Sequence, residues 1–185
     1  MKRIFLLLLL LLFCGLQAQP VSTTRFKEVK SFVEGKNFNE NIAFFIDFKI
    51  HSGKFRFFIC NLQTGKVLKS GLVAHGSCSV VSKSKNLKFS NMENSYQSSI
   101  GKYGISSKYY GTFGCSYRLQ GLDKTNNNAM KRAIVMHSLA CVKDNESTEE
   151  TCLSLGCPMV SEAFFKVAAQ YIDASKKPII LYAYY

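Results

Sequence analysis

The chain has 185 residues, 47% of them hydrophobic, and a formal net charge of +12. That length fits one domain built around one sizeable core. The charge suits a polyanionic setting such as cell wall, anionic lipid or lipopolysaccharide, or serves solubility alone. Nucleic acid is disfavoured as a partner, because the basic residues are scattered and no recognisable nucleic-acid-binding motif occurs.

Residues 1–18 read as a secretory signal peptide. Lys2 and Arg3 form a positive start, and Ile4 to Phe13 is an unbroken apolar run of ten residues. A bilayer span needs about 20. Leu16-Gln17-Ala18 offers a cleavage site after Ala18. Cys14 raises lipid attachment as an alternative, but Phe13 stands where a lipid-attachment box wants a small residue. The expected product is an exported chain of about 167 residues in the periplasm or cell envelope, monomeric and without a transmembrane helix, its charge lowered from +12 to +10 by loss of Lys2 and Arg3.

Residues 19–41 form a lead-in, with a short helix expected over 25–38 because Phe26, Val29 and Phe32/Val33 share a side. Residues 42–185 form the main domain. Ile42 to Ile50 reads as a strand, His51-Ser52-Gly53-Lys54 as a turn, Phe55 to Cys60 as the returning strand, and Lys66 to Leu72 as a third after the turn at Leu62-Gln63-Thr64-Gly65. Residues 76–102 are rich in Ser, Lys, Asn and Gly and read as long loops. Tyr109 to Leu119 contains strands broken at Gly111 and Gly114, and Leu122 to Lys131 is a turn or short helix. Ala133 to Met136 is a short buried strand that delivers His137 at its end. Residues 139–153 form a polar loop over the site. Ser161 is a good N-cap with Glu162 behind it, for a helix running to about Ala174; a start at Pro158 is the alternative. Pro178 ends helical structure, and Ile179 to Tyr184 closes the chain as a strand.

The chemistry concentrates in Ser154-Leu155-Gly156-Cys157-Pro158 with His137 upstream. Thiol catalysis needs a sulfur that can lose its proton, a base to take it and donors for the oxyanion that follows. A free thiol titrates near 8.5, so it is mostly protonated at neutral pH, and a neighbouring imidazolium would lower that value. Cys157 is the candidate nucleophile, His137 the base, and the amides of Gly156 and Cys157 the oxyanion donors. Ser154 shapes the turn or is an ordinary turn serine. His75 and His51 are the other histidines; His51 sits in a hairpin turn. Six cysteines follow the leader: Cys60, Cys78, Cys115, Cys141, Cys152 and Cys157. With Cys157 free, five remain and not all can pair. Cys141 with Cys152 would close a small loop over the site, and Cys78 with Cys115 is a second possible pair; spacing does not decide between pairings. Zinc is disfavoured, since no Cys-x-x-Cys pair occurs.

These residues resemble the catalytic domain of murein L,D-transpeptidases, whose signature is a histidine, roughly fifteen residues, then Ser/Thr-x-Gly-Cys. Here residues 138–153, sixteen of them, separate His137 from Ser154. Leu155 stands where His or Arg is usual, as in a sub-branch reading Ser-x-Gly-Cys-Pro. Ser98-Ser99-Ile100-Gly101-Lys102-Tyr103, Ala74-His75-Gly76-Ser77 and Tyr117-Arg118-Leu119-Gln120-Gly121-Leu122 also resemble landmarks of that group. The resemblance spans roughly residues 42–185. It implies a mostly-β fold of mixed, sandwich-like sheets with one main α-helix after the cysteine. It implies that the Ser138 carbonyl orients His137. His75, in a loop-like context, lines the substrate groove or has a surface or packing role. Tyr117 and Arg118 are candidates to contact an anionic peptidoglycan stem, because arginine binds a carboxylate bidentately, and strand alternation turns only one of the two to the groove. The resemblance further implies a thioester enzyme without metal or organic cofactor, making 3→3 cross-links. Water as acceptor would make it an L,D-carboxypeptidase, and a protein amine would tether a protein to the wall. A secreted thiol protease and a non-catalytic wall-binding relative are the competing classes.

Overall fold

A computed structural model describes residues 19–81 and 86–185. The expected signal peptide at residues 1–18 lies outside the described residues. Helix α1 spans Thr23–Val33, opened by Ser22, whose hydroxyl accepts from the Arg25 amide. Phe26, Val29 and Val33 are its buried residues, at helical spacing. The helix ends short of the expected Phe38 because Gly35 turns the chain at φ +67°.

Strands β1 (Ile42–Asp47), β2 (Phe57–Asn61) and β3 (Val67–Gly71) form the antiparallel meander. Strands β4 (Gly101–Gly111) and β5 (Gly114–Gly121) form a long hairpin that turns at Gly114, φ +72°. Strands β6 (Val135–Ser138) and β7 (Met159–Val160) follow, then helix α2 (Glu162–Asp173) and strand β8 (Ile180–Tyr184). One mixed eight-stranded sheet results, in the order β3-β2-β1-β8-β4-β5-β6-β7. The β1–β8 and β6–β7 pairs are parallel. The chain is thus mostly β with a helix after the cysteine, as expected, and carries α1 as a second helix.

Alternation along β1 and β8 divides the sheet between two cores. Ala43, Phe45, Ile180 and Tyr182 face α1. Phe44, Ile46, Leu181 and Ala183 join the larger core with Tyr103, Tyr117, Leu119 and Met136 and the α2 residues Phe164, Phe165 and Ala168. Each such side chain contributes roughly 1.5–3 kcal/mol by leaving water. Phe164 packs edge-on to Phe57, centroids 5.2 Å apart, and lies against Gly71, where a Cβ would come within 2.5 Å of its ring.

The sheet curls until its two ends meet. Val73, just beyond β3, bridges Val160 of β7, and the Ala74 amide donates to the Met159 carbonyl at 2.8 Å. Because Met159 and Val160 are extended, α2 begins after Ser161, whose hydroxyl accepts from the Phe164 amide at 3.1 Å. Cys157 is therefore not at a helix N-terminus, and the alternative start at Pro158 is excluded.

Candidate active site

Register brings the cysteine to the histidine strand. In the parallel β6–β7 pair His137 lies opposite Met159, so position 157 falls level with position 135. The Val135 amide accordingly donates to Cys157 Sγ at 3.4 Å, and the thiol points at the Ala133 carbonyl at 3.8 Å. The turn before the cysteine is closed by Ser154. Its hydroxyl donates to the Cys157 carbonyl at 2.7 Å and accepts from the Gly156 amide at 3.1 Å. Gly156 has φ +115°, and a Cβ there would sit 2.8 Å from the Gln97 carbonyl oxygen. Only glycine fits that backbone and that contact. The Gly156 amide, expected as an oxyanion donor, is thus committed to Ser154. The serine is a turn-builder with two bonds of its own.

The strand expected at Ala133–Met136 runs two residues later, so His137 is buried one position before the end of β6. Its Nδ1 lies 3.1 Å from the Ser138 carbonyl oxygen. A carbonyl only accepts, so Nδ1 carries the proton in the neutral ring and Nε2 keeps its lone pair. Phe113, from the β4–β5 turn, stacks on the imidazole with centroids 4.3 Å apart and planes at 20°. Burial pushes His137 below the ordinary histidine range, with the Ser138 carbonyl opposing it. Burial pushes the Cys157 thiol up, against the Val135 amide and the charge of Arg132. Both shifts favour a resting pair of neutral thiol and neutral imidazole, rather than the expected thiolate beside an imidazolium.

Cys157 and His137 line one cavity of about 580 Å³. Its apolar lip comprises Tyr96, Phe113, Leu139, Leu153 and Leu155. Leu155, the signature departure, is 68% exposed there. Lys131, paired with Glu93 at 2.6 Å, and Arg132 supply charge along the wall. Among the described residues no group of His, Cys, Asp and Glu is arranged to hold a metal ion.

A family model for the L,D-transpeptidase catalytic domain matches residues 17–184. The chain belongs to that family. No curated protein is a significant match. Solved structures similar to it include an avibactam carbamoyl enzyme of Ldtfm, at 12% identity and TM-score 0.46, covering 80% of this chain and 50% of that one. An L,D-transpeptidase from Mycobacterium tuberculosis matches at 15% identity and TM-score 0.43, covering 78% and 58%. The helical cell shape determining protein Pgp2 from Campylobacter jejuni matches at 12% identity and TM-score 0.44, covering 88% and 56%. The chain spans between half and about three-fifths of the length of these structures.

Other residues singled out from the L,D-transpeptidase resemblance lie elsewhere. His75 does not line the cavity. It is 2% exposed, its Nδ1 is 2.9 Å from Arg56 Nη2, and its carbonyl accepts from the Ser154 amide at 2.9 Å. It therefore braces the 154–157 turn from behind. Tyr117 faces the core against Phe165 and donates to Asp173 at 2.7 Å. Arg118 stacks on Tyr109, 4.1 Å from the ring centroid, and also lies outside the cavity lining. Cys141 and Cys152 are disulfide-bonded, whereas Cys78 and Cys115, the second possible pair, are free. Sequence reasoning missed Phe113 and Arg132. The Ser116–His137 register, visible only once β5 and β6 pair, places the hairpin turn beside the histidine.

Proposed function

We propose that the chain is a cysteine-dependent L,D-transpeptidase acting on peptidoglycan tetrapeptide stems in the cell envelope. The observation that carries this reading is the convergence of Cys157 and of His137, held in the Nδ1–H form by the Ser138 carbonyl, on one groove. His137 Nε2 takes the thiol proton as Sγ attacks the carbonyl of the third, diamino-acid residue. The Cys157 amide serves the oxyanion, since the Gly156 amide is occupied. Collapse breaks the C–N bond, His137 returns the proton to the departing D-Ala amine, and a thioester remains. A side-chain amine of a second stem then attacks the thioester, giving its proton to His137, and a 3→3 amide forms as the thiol is restored. No step calls on a metal or organic cofactor. The basic surface favours retention on anionic wall polymers.

Incubation with disaccharide-tetrapeptide, beside Cys157→Ala, tests this reading by product analysis. Released D-Ala with a cross-linked dimer, absent from the variant, is the expected result. Tripeptide without dimer would assign water as the acceptor. No product from folded protein with reduced Cys157 would favour a wall-binding role instead.

A further inference from the structure

Arg132 stands three residues before the first residue of the strand that carries His137, half-buried in the cavity wall. Its guanidinium is fully engaged on the terminal nitrogens. Nη1 donates to the Ser90 carbonyl at 2.7 Å and to Ser99 Oγ at 3.1 Å, and Nη2 to the Gln97 carbonyl at 2.6 Å and to Ser95 Oγ at 3.3 Å. Such a fork is not free to capture a substrate carboxylate. It grips the 90–99 segment on both sides of Tyr96, which holds φ +51° beside Asn94 at φ +56°. A tyrosine in left-handed backbone persists only where its surroundings impose it.

The gripped segment is one wall of the nucleophile turn. The Gln97 carbonyl and Arg132 Nη2 are two of the atoms that would crowd a Cβ on Gly156, at 2.8 and 3.2 Å. Ser98, next along, accepts from the Gly76 amide at 3.0 Å and donates to the Gly156 carbonyl at 3.5 Å. Ser99 continues the chain of bonds to the buried Tyr103 hydroxyl, 2.7 Å away.

We propose that Arg132 is the positioning residue of this site: it fixes the 90–99 wall against Gly156 and holds a permanent cation against the Gly156–Cys157 turn, where thiolate and oxyanion charge develop. The proposal rests on Cys157 being the nucleophile. The titratable and charged groups around that sulfur are His137 on β6, Tyr103 on β4, Arg132 itself and the Lys131–Glu93 pair on the cavity wall. Lys131 and Glu93 offset each other, and Tyr103 titrates high, at about 12. Among the described residues Arg132 is thus the unneutralised cation of the group, and its charge favours the Cys157 thiolate.

The test reads alkylation of Cys157 by iodoacetamide against pH, resolved from the other thiols by peptide mass. It needs no substrate, so it stands apart from the assignment of turnover. Replacing Arg132 by Met should raise the thiol midpoint by about one pH unit and lower kcat on disaccharide-tetrapeptide about tenfold or more, with a smaller change in KM. Arg132→Lys should keep the midpoint near wild type while losing kcat, because charge survives and the fork does not. In the unaltered protein, rising potassium chloride should raise the midpoint as the charge is screened. An unchanged midpoint in folded Arg132→Met, or a salt-independent midpoint should that variant not fold, overturns the proposal. A shifted midpoint in a protein with no turnover would sustain the role of Arg132 and remove the transpeptidase reading alone.

Discussion

Cys157 Sγ meets two backbone groups, the Val135 amide and the Ala133 carbonyl. His137 is fixed by one carbonyl and one aromatic face. Burial outweighs the charge of Arg132 at the sulfur and moves the two groups in opposite directions, thiol up and imidazole down. The sign follows directly. A histidine with lowered pKa becomes an effective base at more acid pH than usual, so the acid limb of kcat/KM should lie below the ordinary value near 6.5. Alkylation of Cys157, by contrast, should keep rising beyond the pH at which a free thiol has ionised. A preformed thiolate would instead give a rate already flat at neutral pH. His137→Gln should lower kcat by roughly 10²–10⁴ while leaving Cys157 open to alkylation. Gly156→Ala forces a Cβ against the Gln97 carbonyl at φ +115°. We expect activity to be lost, with a stability cost of about 1–3 kcal/mol by thermal melting.

At the scale of elements, the loop between β6 and β7 carries the leucines of the groove's lip, Leu139, Leu153 and Leu155. Leu139 and Leu153 flank the Cys141–Cys152 bridge, which ties the loop at its ends. The rest of the loop is held by the 51–55 turn. There the Ser147 amide donates to the Gly53 carbonyl at 2.8 Å, and the Phe55 amide donates to Glu146 at 2.7 Å. Replacing both Cys141 and Cys152 by Ser should cost about 2–3 kcal/mol for a loop this short and raise KM more than it lowers kcat. Calorimetry and steady-state kinetics would read the two effects. Much at this scale was legible in the chain. Ser161 before an apolar helical period announces α2, and Phe- and Ile-rich runs either side of a Ser-Gly turn announce β1 and β2. The helix at Pro158 failed because the sheet needed Met159 and Val160 as its last strand. Tyr117 and Arg118 could not be placed on the groove or off it by alternation alone, since parity says which residues share a face but not which face a curled sheet turns inward. The chain alone leaves His75 between groove lining and packing, because its partner, Arg56, is 19 residues away in sequence.

Across the molecule, the Arg56–His75 pair spans the place where the ends of the sheet meet. Arg56 is buried and gives Nη2 and Nε to the Val73 carbonyl, while Nη2 also reaches His75. Burial first, then the charges of Arg56 and His51, lower His75 to about 4. The unfolded chain, with histidine near 6.5, therefore binds the extra proton first as pH falls. Stability is full above pH 6.5 and declines towards pH 4, by about 3 kcal/mol from this group. Urea unfolding at pH 7, 5.5 and 4 should show the decline. His75→Gln should flatten it without abolishing it, because His137 shifts in the same direction. The whole construction thus directs the two sheet ends, the bridged loop and the 90–99 wall onto one cysteine. The most direct test of that account is the intact mass of the protein mixed with a D-Ala-terminated tetrapeptide stem. The account predicts a covalent adduct of the acyl-tripeptide mass on Cys157, with free D-Ala appearing in step and neither seen in Cys157→Ala. A folded protein with Cys157 reduced and alkylatable that forms no adduct and releases no D-Ala would contradict it.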